Sequence, residues 1–132
     1  MKFLKINNKD YVLKFTSKVI TELHARNITI TTLSEDLKIM KTNNLYMAFY
    51  YGLSNMQKNI TIDDTYSIID EYFEEDEEHS IEDFFLLILE ELCKAMGLSK
   101  VFKEMQKEQE NEKKRLLEKK EKNVIDVEIK EI

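Results

Sequence analysis

The sequence predicts a mainly α fold of the α+β kind: an N-terminal β-hairpin, a compact bundle of about five helices, a charged helical arm and a strand-like C-terminal tail. Three observations predict it. Two runs of bulky strand formers flank a polar turn within the first fifteen residues. Five later stretches repeat apolar residues at three-to-four spacing, and three helix starts show a Ser or Thr three residues before an acid, an arrangement that caps free backbone N–H groups. With 132 residues, 42% of them hydrophobic, the chain is long enough for one core.

The hairpin is read from Phe3-Leu4-Lys5-Ile6 and Tyr11-Val12-Leu13-Lys14-Phe15 around Asn7-Asn8-Lys9-Asp10. An isolated hairpin is marginal in water, so it must rest on helices or gain a third strand. Helices are expected at about 17–26, 33–41, 44–56, 62–74 and 81–96. Their apolar faces are Val19, Ile20 and Leu23; Leu33, Leu37 and Met40; Leu45, Ala48, Phe49 and Leu53; Ile62, Tyr66, Ile69 and Phe73; and Ile81, Phe84, Phe85, Ile88 and Leu92. The capping signatures are Thr32-x-x-Glu35, Thr61-x-x-Asp64 and Ser80-x-x-Asp83. Gly97 followed by Leu98 fits a left-handed helix end with an apolar residue folding back.

A domain is therefore expected over 1–98. Residues 99–122 form a charged, partly helical arm whose apolar face ends after Val101, Phe102 and Met105. Pairs such as Glu110 with Lys114 add only ~0.2–0.5 kcal/mol each to such a helix. Residues 123–132 read as a strand, since Ile125, Val127 and Ile129 alternate with charged residues. That strand has two expected uses: addition to a partner's sheet, or pairing with the chain's own hairpin.

Charge is strongly segregated. No Lys or Arg lies between Lys58 and Lys94, an interval holding 13 of the 26 acidic residues. Such a middle repels phosphates, which argues against nucleic acid as a partner there. No stretch approaches 18 uninterrupted apolar residues and none resembles a secretory leader, so neither membrane spanning nor export is expected. A lone Cys93 in an apolar stretch fits a reducing cytoplasm and a buried thiol.

Nothing in the chain assembles a catalytic constellation. The two histidines, His24 and His79, have no metal-ligand spacing, and two glycines are too few for a phosphate-cradling loop. Glu74-Glu75-x-x-Glu78 has the form of a magnesium-binding helix in all-helical pyrophosphatases, but Lys94 stands where the second acidic motif needs a carboxylate. The expectation is no enzyme, no cofactor and no metal.

The more informative stretch is Phe84-Phe85-Leu86-Leu87-Ile88-Leu89. One buried face uses Phe84, Phe85 and Ile88 and leaves Leu86, Leu87 and Leu89 on other sides. Two readings stay open: a central helix surrounded by others, or a groove for an apolar partner. Met47, Tyr50 and Tyr51 pose the same choice.

The run from Met1 to Thr16, the Ile30-Thr31-Thr32-Leu33 element, Ala48-Phe49-Tyr50-Tyr51-Gly52-Leu53 and Ile62-Asp63-Asp64 through Ile69-Asp70-Glu71-Tyr72 together resemble tail assembly chaperones of long-tailed phages and prophages. The resemblance fades after about Gly97. It implies a non-catalytic factor of the host bacterial cytoplasm that binds the tape-measure protein and the tail tube protein, keeps them soluble and is absent from the finished virion. Leu86, Leu87 and Leu89 are then candidates for contact with the tape-measure protein, and Ile125, Val127 and Ile129 for strand addition to a tube subunit. A homo-oligomer is compatible with all of this. The competing reading is an acidic adaptor or inhibitor that occupies a basic site on a DNA-acting protein.

Overall fold

The computed structural model describes the backbone of residues 1–131 and the side chains of residues 1–118. Strands β1 (Lys2–Ile6) and β2 (Lys9–Leu13) form an antiparallel hairpin with Ile6 opposite Lys9 and Lys2 opposite Leu13. Asn7 and Asn8 both have positive φ, 51° and 64°. That is the mirror-image turn whose twist suits two-residue hairpin loops, and Asn tolerates it better than most residues. The polar four of the sequence thus reduces to a two-residue turn, with Lys9 and Asp10 already in β2.

Six helices follow: α1 (Ser17–Ala25), α2 (Ile30–Ile39), α3 (Asn43–Ser54), α4 (Ile62–Glu75), α5 (Ile81–Ala95) and α6 (Ser99–Glu131). The signatures at Thr61 and Ser80 cap α4 and α5 as expected: Thr61 Oγ1 accepts from Asp64 N at 3.0 Å and Ser80 Oγ from Asp83 N at 3.1 Å. At α2 the expected start is corrected. Thr29 caps it, three residues before Thr32, and the two threonines form a reciprocal box in which Thr32 N donates to Thr29 Oγ1 and Thr29 N to Thr32 Oγ1, at 3.1 and 2.7 Å. A Thr hydroxyl does here what the Glu35 carboxylate was expected to do.

The end of α5 fits its sequence signal closely. Gly97 has φ +71°, Leu98 N donates to Cys93 O at 2.7 Å and Gly97 N to Lys94 O at 3.2 Å, which is the Schellman pattern.

Two compact units result, Met1–Leu98 and Ser99–Ile132. In the first, α3 is the hub. It packs against α1, α2, α4, α5 and β2, and Leu45, Ala48, Phe49 and Leu53 are wholly buried. The apolar α5 packs against α2 and α3, and its Phe84 also meets Tyr72 and Phe73 of α4. Met47, Tyr50 and Tyr51 beside the main face of α3 are half-buried.

Gly52 explains how the hairpin reaches the hub. A Cβ there would stand 2.5 Å from Leu13 Cδ1 and 2.9 Å from Phe15 Cζ, so only glycine lets the end of β2 lie on α3. Lys14 N also donates to Gly52 O at 3.0 Å, supplying a partner for a carbonyl in the last turn of α3.

The second unit is α6. The strand expected over 123–132 is corrected for the residues described: the helix continues through Glu131. No Pro or Gly follows Gly97 to stop a helix, α6 is rich in Lys and Glu, and a six-residue alternation needs a sheet edge before it outweighs those helical preferences.

Candidate protein-binding surface

Phe84 anchors α5. Its ring lies 5.0 Å from that of Phe49 in an edge arrangement and 5.6 Å from that of Tyr72, offset geometries that add to area burial. Tyr72 in turn stacks on His79 at 4.0 Å, and His79 Nδ1 lies 2.9 Å from Tyr72 O. This ties the turn between α4 and α5 back onto α4. Burial and the nearby Asp83, Glu75 and Asp76 carboxylates hold the Tyr72 phenol above its ordinary range.

The three leucine candidates separate. Leu89 is 1% exposed and belongs to the core, together with Phe85, Ile88, Leu92 and Cys93, so it presents no surface to a partner. Leu86 and Leu87 are half-buried. As consecutive residues they point about 100° apart, and Asp83, Glu90 and Lys94 lie between them on the outward arc. The outer side of α5 is therefore a charged ridge with a leucine along each margin. On that ridge Lys94 Nζ lies 3.3 Å from Glu90 and 3.7 Å from Glu91. Hydrogen bonding to Glu90 and the two carboxylates push its pKa up.

Glu91 itself is buried and sits 3.8 Å from the Met1 ammonium. Sequence reading assigned it to a solvated acidic run. Its spacing, three residues after Ile88 and seven after Phe84, already puts this acid on the buried face; what the sequence does not show is the Met1 ammonium, which joins Lys94 beside it.

The acidic interval is not one patch. Asp63, Asp64, Glu82 and Asp83 occupy first turns of α4 and α5, where carboxylates complement the helix dipole. Glu75 accepts from Asn7 N at 2.7 Å and Asp76 from Glu78 N at 2.9 Å. Glu74 and Glu75 end α4, which leaves Glu78 off the helix and breaks up the pyrophosphatase-like pattern. Among the described residues no group of His, Cys, Asp and Glu is placed to hold a metal ion. Cys93 is buried and its thiol is pushed up by that burial, the opposite of what a reactive cysteine needs.

A cleft of about 370 Å³ lies where the hairpin meets α4, with Lys9 and Lys58 facing Asp64 and Glu71. Its charges balance, and the Tyr11 phenol on its wall is raised by burial and by Glu71. No nucleophile stands beside a base there. Ile125, Val127 and Ile129 fall in α6, and their side chains lie outside the described residues.

These features define a class: a small helical domain braced by a hairpin, with a charged ridge between two half-buried leucines on α5 and no group placed to hold a metal among its described residues. Residues 3–110 match the family model described as phage tail assembly chaperone protein, TAC. The chain belongs to that family. No curated protein and no solved structure matches it. No described helix is long and apolar enough to cross a membrane.

Proposed function

We propose that this chain is a non-catalytic chaperone that binds the tape-measure protein and the tail tube subunit in the host cytoplasm and keeps them soluble until they assemble. The observation that carries the reading is the family match over residues 3–110. Leu86 and Leu87, half-buried on the outer margins of α5, are the proposed contacts for apolar positions of the tape-measure protein. Fully covering such a side chain is worth ~1.5–3 kcal/mol, so a few supply useful affinity after association costs. Of the charges between the two leucines, Glu90 is paired with Lys94, and Asp83 favours a partner with a basic residue beside its apolar ones. Ile125, Val127 and Ile129 are the proposed contact for the tube subunit.

Co-expression with fragments of the tape-measure protein from the same genome, followed by size-exclusion chromatography, tests this. The expected result is a soluble co-eluting complex from fragments that aggregate when expressed alone. Fragments that stay insoluble while this chain elutes by itself overturn the reading and bring the acidic-adaptor reading forward.

A further inference from the structure

The two edges of the hairpin are treated differently. Pairing Ile6 with Lys9 across a two-residue turn makes Ile6–Lys9, Leu4–Tyr11 and Lys2–Leu13 the bonded pairs. The N–H and C=O of Phe3 and Lys5 on β1, and of Asp10 and Val12 on β2, must then point outward. On β2 that edge is closed: Gln57 Oε1 accepts from Val12 N at 2.7 Å and Gln57 Nε2 donates to Val12 O at 3.0 Å. The side-chain amide stands in for a neighbouring strand. Helix α4 packs against β1 and lines a cleft with Lys9 and Tyr11, residues on the same hairpin face as Leu4 and Ile6. It therefore covers a face and leaves the outer edge of β1 open. Among the described residues nothing bonds the outward groups of Phe3 and Lys5 there. The side chains along this edge are a 71%-exposed Phe3 and the exposed Lys2 and Lys5.

We propose that the outer edge of β1 is a docking site for an extended partner segment that reads acid, apolar, apolar, acid and adds as a third strand, since Lys2 and Lys5 lie on opposite faces of the hairpin with Phe3 and the half-buried Leu4 between them. Backbone bonds to Phe3 and Lys5 would hold it, an apolar residue would cover Phe3, and acids would lie beside Lys2 and Lys5. A basic segment would meet like charge at both lysines. The site is remote in sequence from Leu86 and Leu87 and does not depend on what they bind.

The test is amide exchange by NMR on the full ¹⁵N-labelled chain with a capped nine-residue peptide containing Glu-Val-Val-Glu. The Phe3 and Lys5 amides should exchange about tenfold more slowly at a peptide concentration near ten times Kd. The Leu4 amide, already bonded within the hairpin, should not change. A Val/Lys peptide should protect neither, and the double change Lys2→Glu with Lys5→Glu, at exposed positions, should reverse the preference. Lys5→Pro removes one outward donor at a position where an edge strand tolerates proline, and should abolish protection with the helical circular dichroism retained. Unchanged exchange at Phe3 and Lys5, or equal protection by both peptides, overturns the proposal.

Discussion

Replacing Gly52 by Ala sets two effects of opposite sign against each other. In an exposed helix interior this change gains up to about 1 kcal/mol, because glycine gives up more backbone freedom on folding. At position 52 the added Cβ would stand 2.5 Å from Leu13 Cδ1 and 2.9 and 3.0 Å from two atoms of the Phe15 ring. Neither side chain has solvent to move into, since Leu13 is 0% and Phe15 6% exposed. Backing β2 away from α3 would stretch the Lys14 to Gly52 bond and the Gln57 clamp on Val12. Overpacking of this kind costs about 1–3 kcal/mol. The net expectation is a loss of about 1 kcal/mol, or about 4–8 °C in Tm for a domain of this size. Urea denaturation followed by circular dichroism measures it. In a Leu13→Ala background, where the obstructing methyls are gone, the same change should cost less, so the double variant should lose less than the two single losses added. Stabilisation by Gly52→Ala in the otherwise unaltered chain would refute the close approach of β2 to α3.

Other outcomes follow from the same contacts. Gln57→Ala leaves the outward groups of Val12 without their partner and should cost about 1–3 kcal/mol, while Gln57→Glu keeps the acceptor for Val12 N, loses the donor to Val12 O, and should fall between the two in urea denaturation. Leu89→Ser should cost several kcal/mol by placing a hydroxyl in a buried site, whereas Leu86→Ser and Leu87→Ser should leave the urea midpoint close to that of the parent and reduce recovery of soluble tape-measure fragments. The Cys93, Tyr11 and Tyr72 groups are all raised in the folded chain. A raised group stabilises fully below its unfolded pKa, here about 9 for the thiol and 10 for the phenols, and that contribution is lost as pH rises through the folded value. Stability should therefore fall progressively above about pH 9, and titration of the urea midpoint checks the direction. Cys93 should react with a thiol reagent only at the rate of unfolding; rapid modification of the native chain would contradict its burial.

The sequence by itself determined the elements whose causes are local. Asn-Asn between bulky runs makes a hairpin, Thr61 and Ser80 start α4 and α5, and Gly97 stops α5, because each signal acts within a turn or two of backbone. The cap of α2 was misread for an equally local reason: Thr29 and Thr32 both have capping hydroxyls, and spacing to Glu35 favoured the wrong one. The apolar run in α5 was legible as too wide for one buried face. Only the tertiary structure decided that Leu89 lies in the core while Leu86 and Leu87 stay half out, and that α3 is the hub. The same holds for the Met1 ammonium meeting Glu91, for Gln57 closing one hairpin edge, and for Gly52 making room for Leu13 and Phe15. Each of these depends on groups tens of residues apart, and periodicity shows which face of an element is apolar without showing what will meet it.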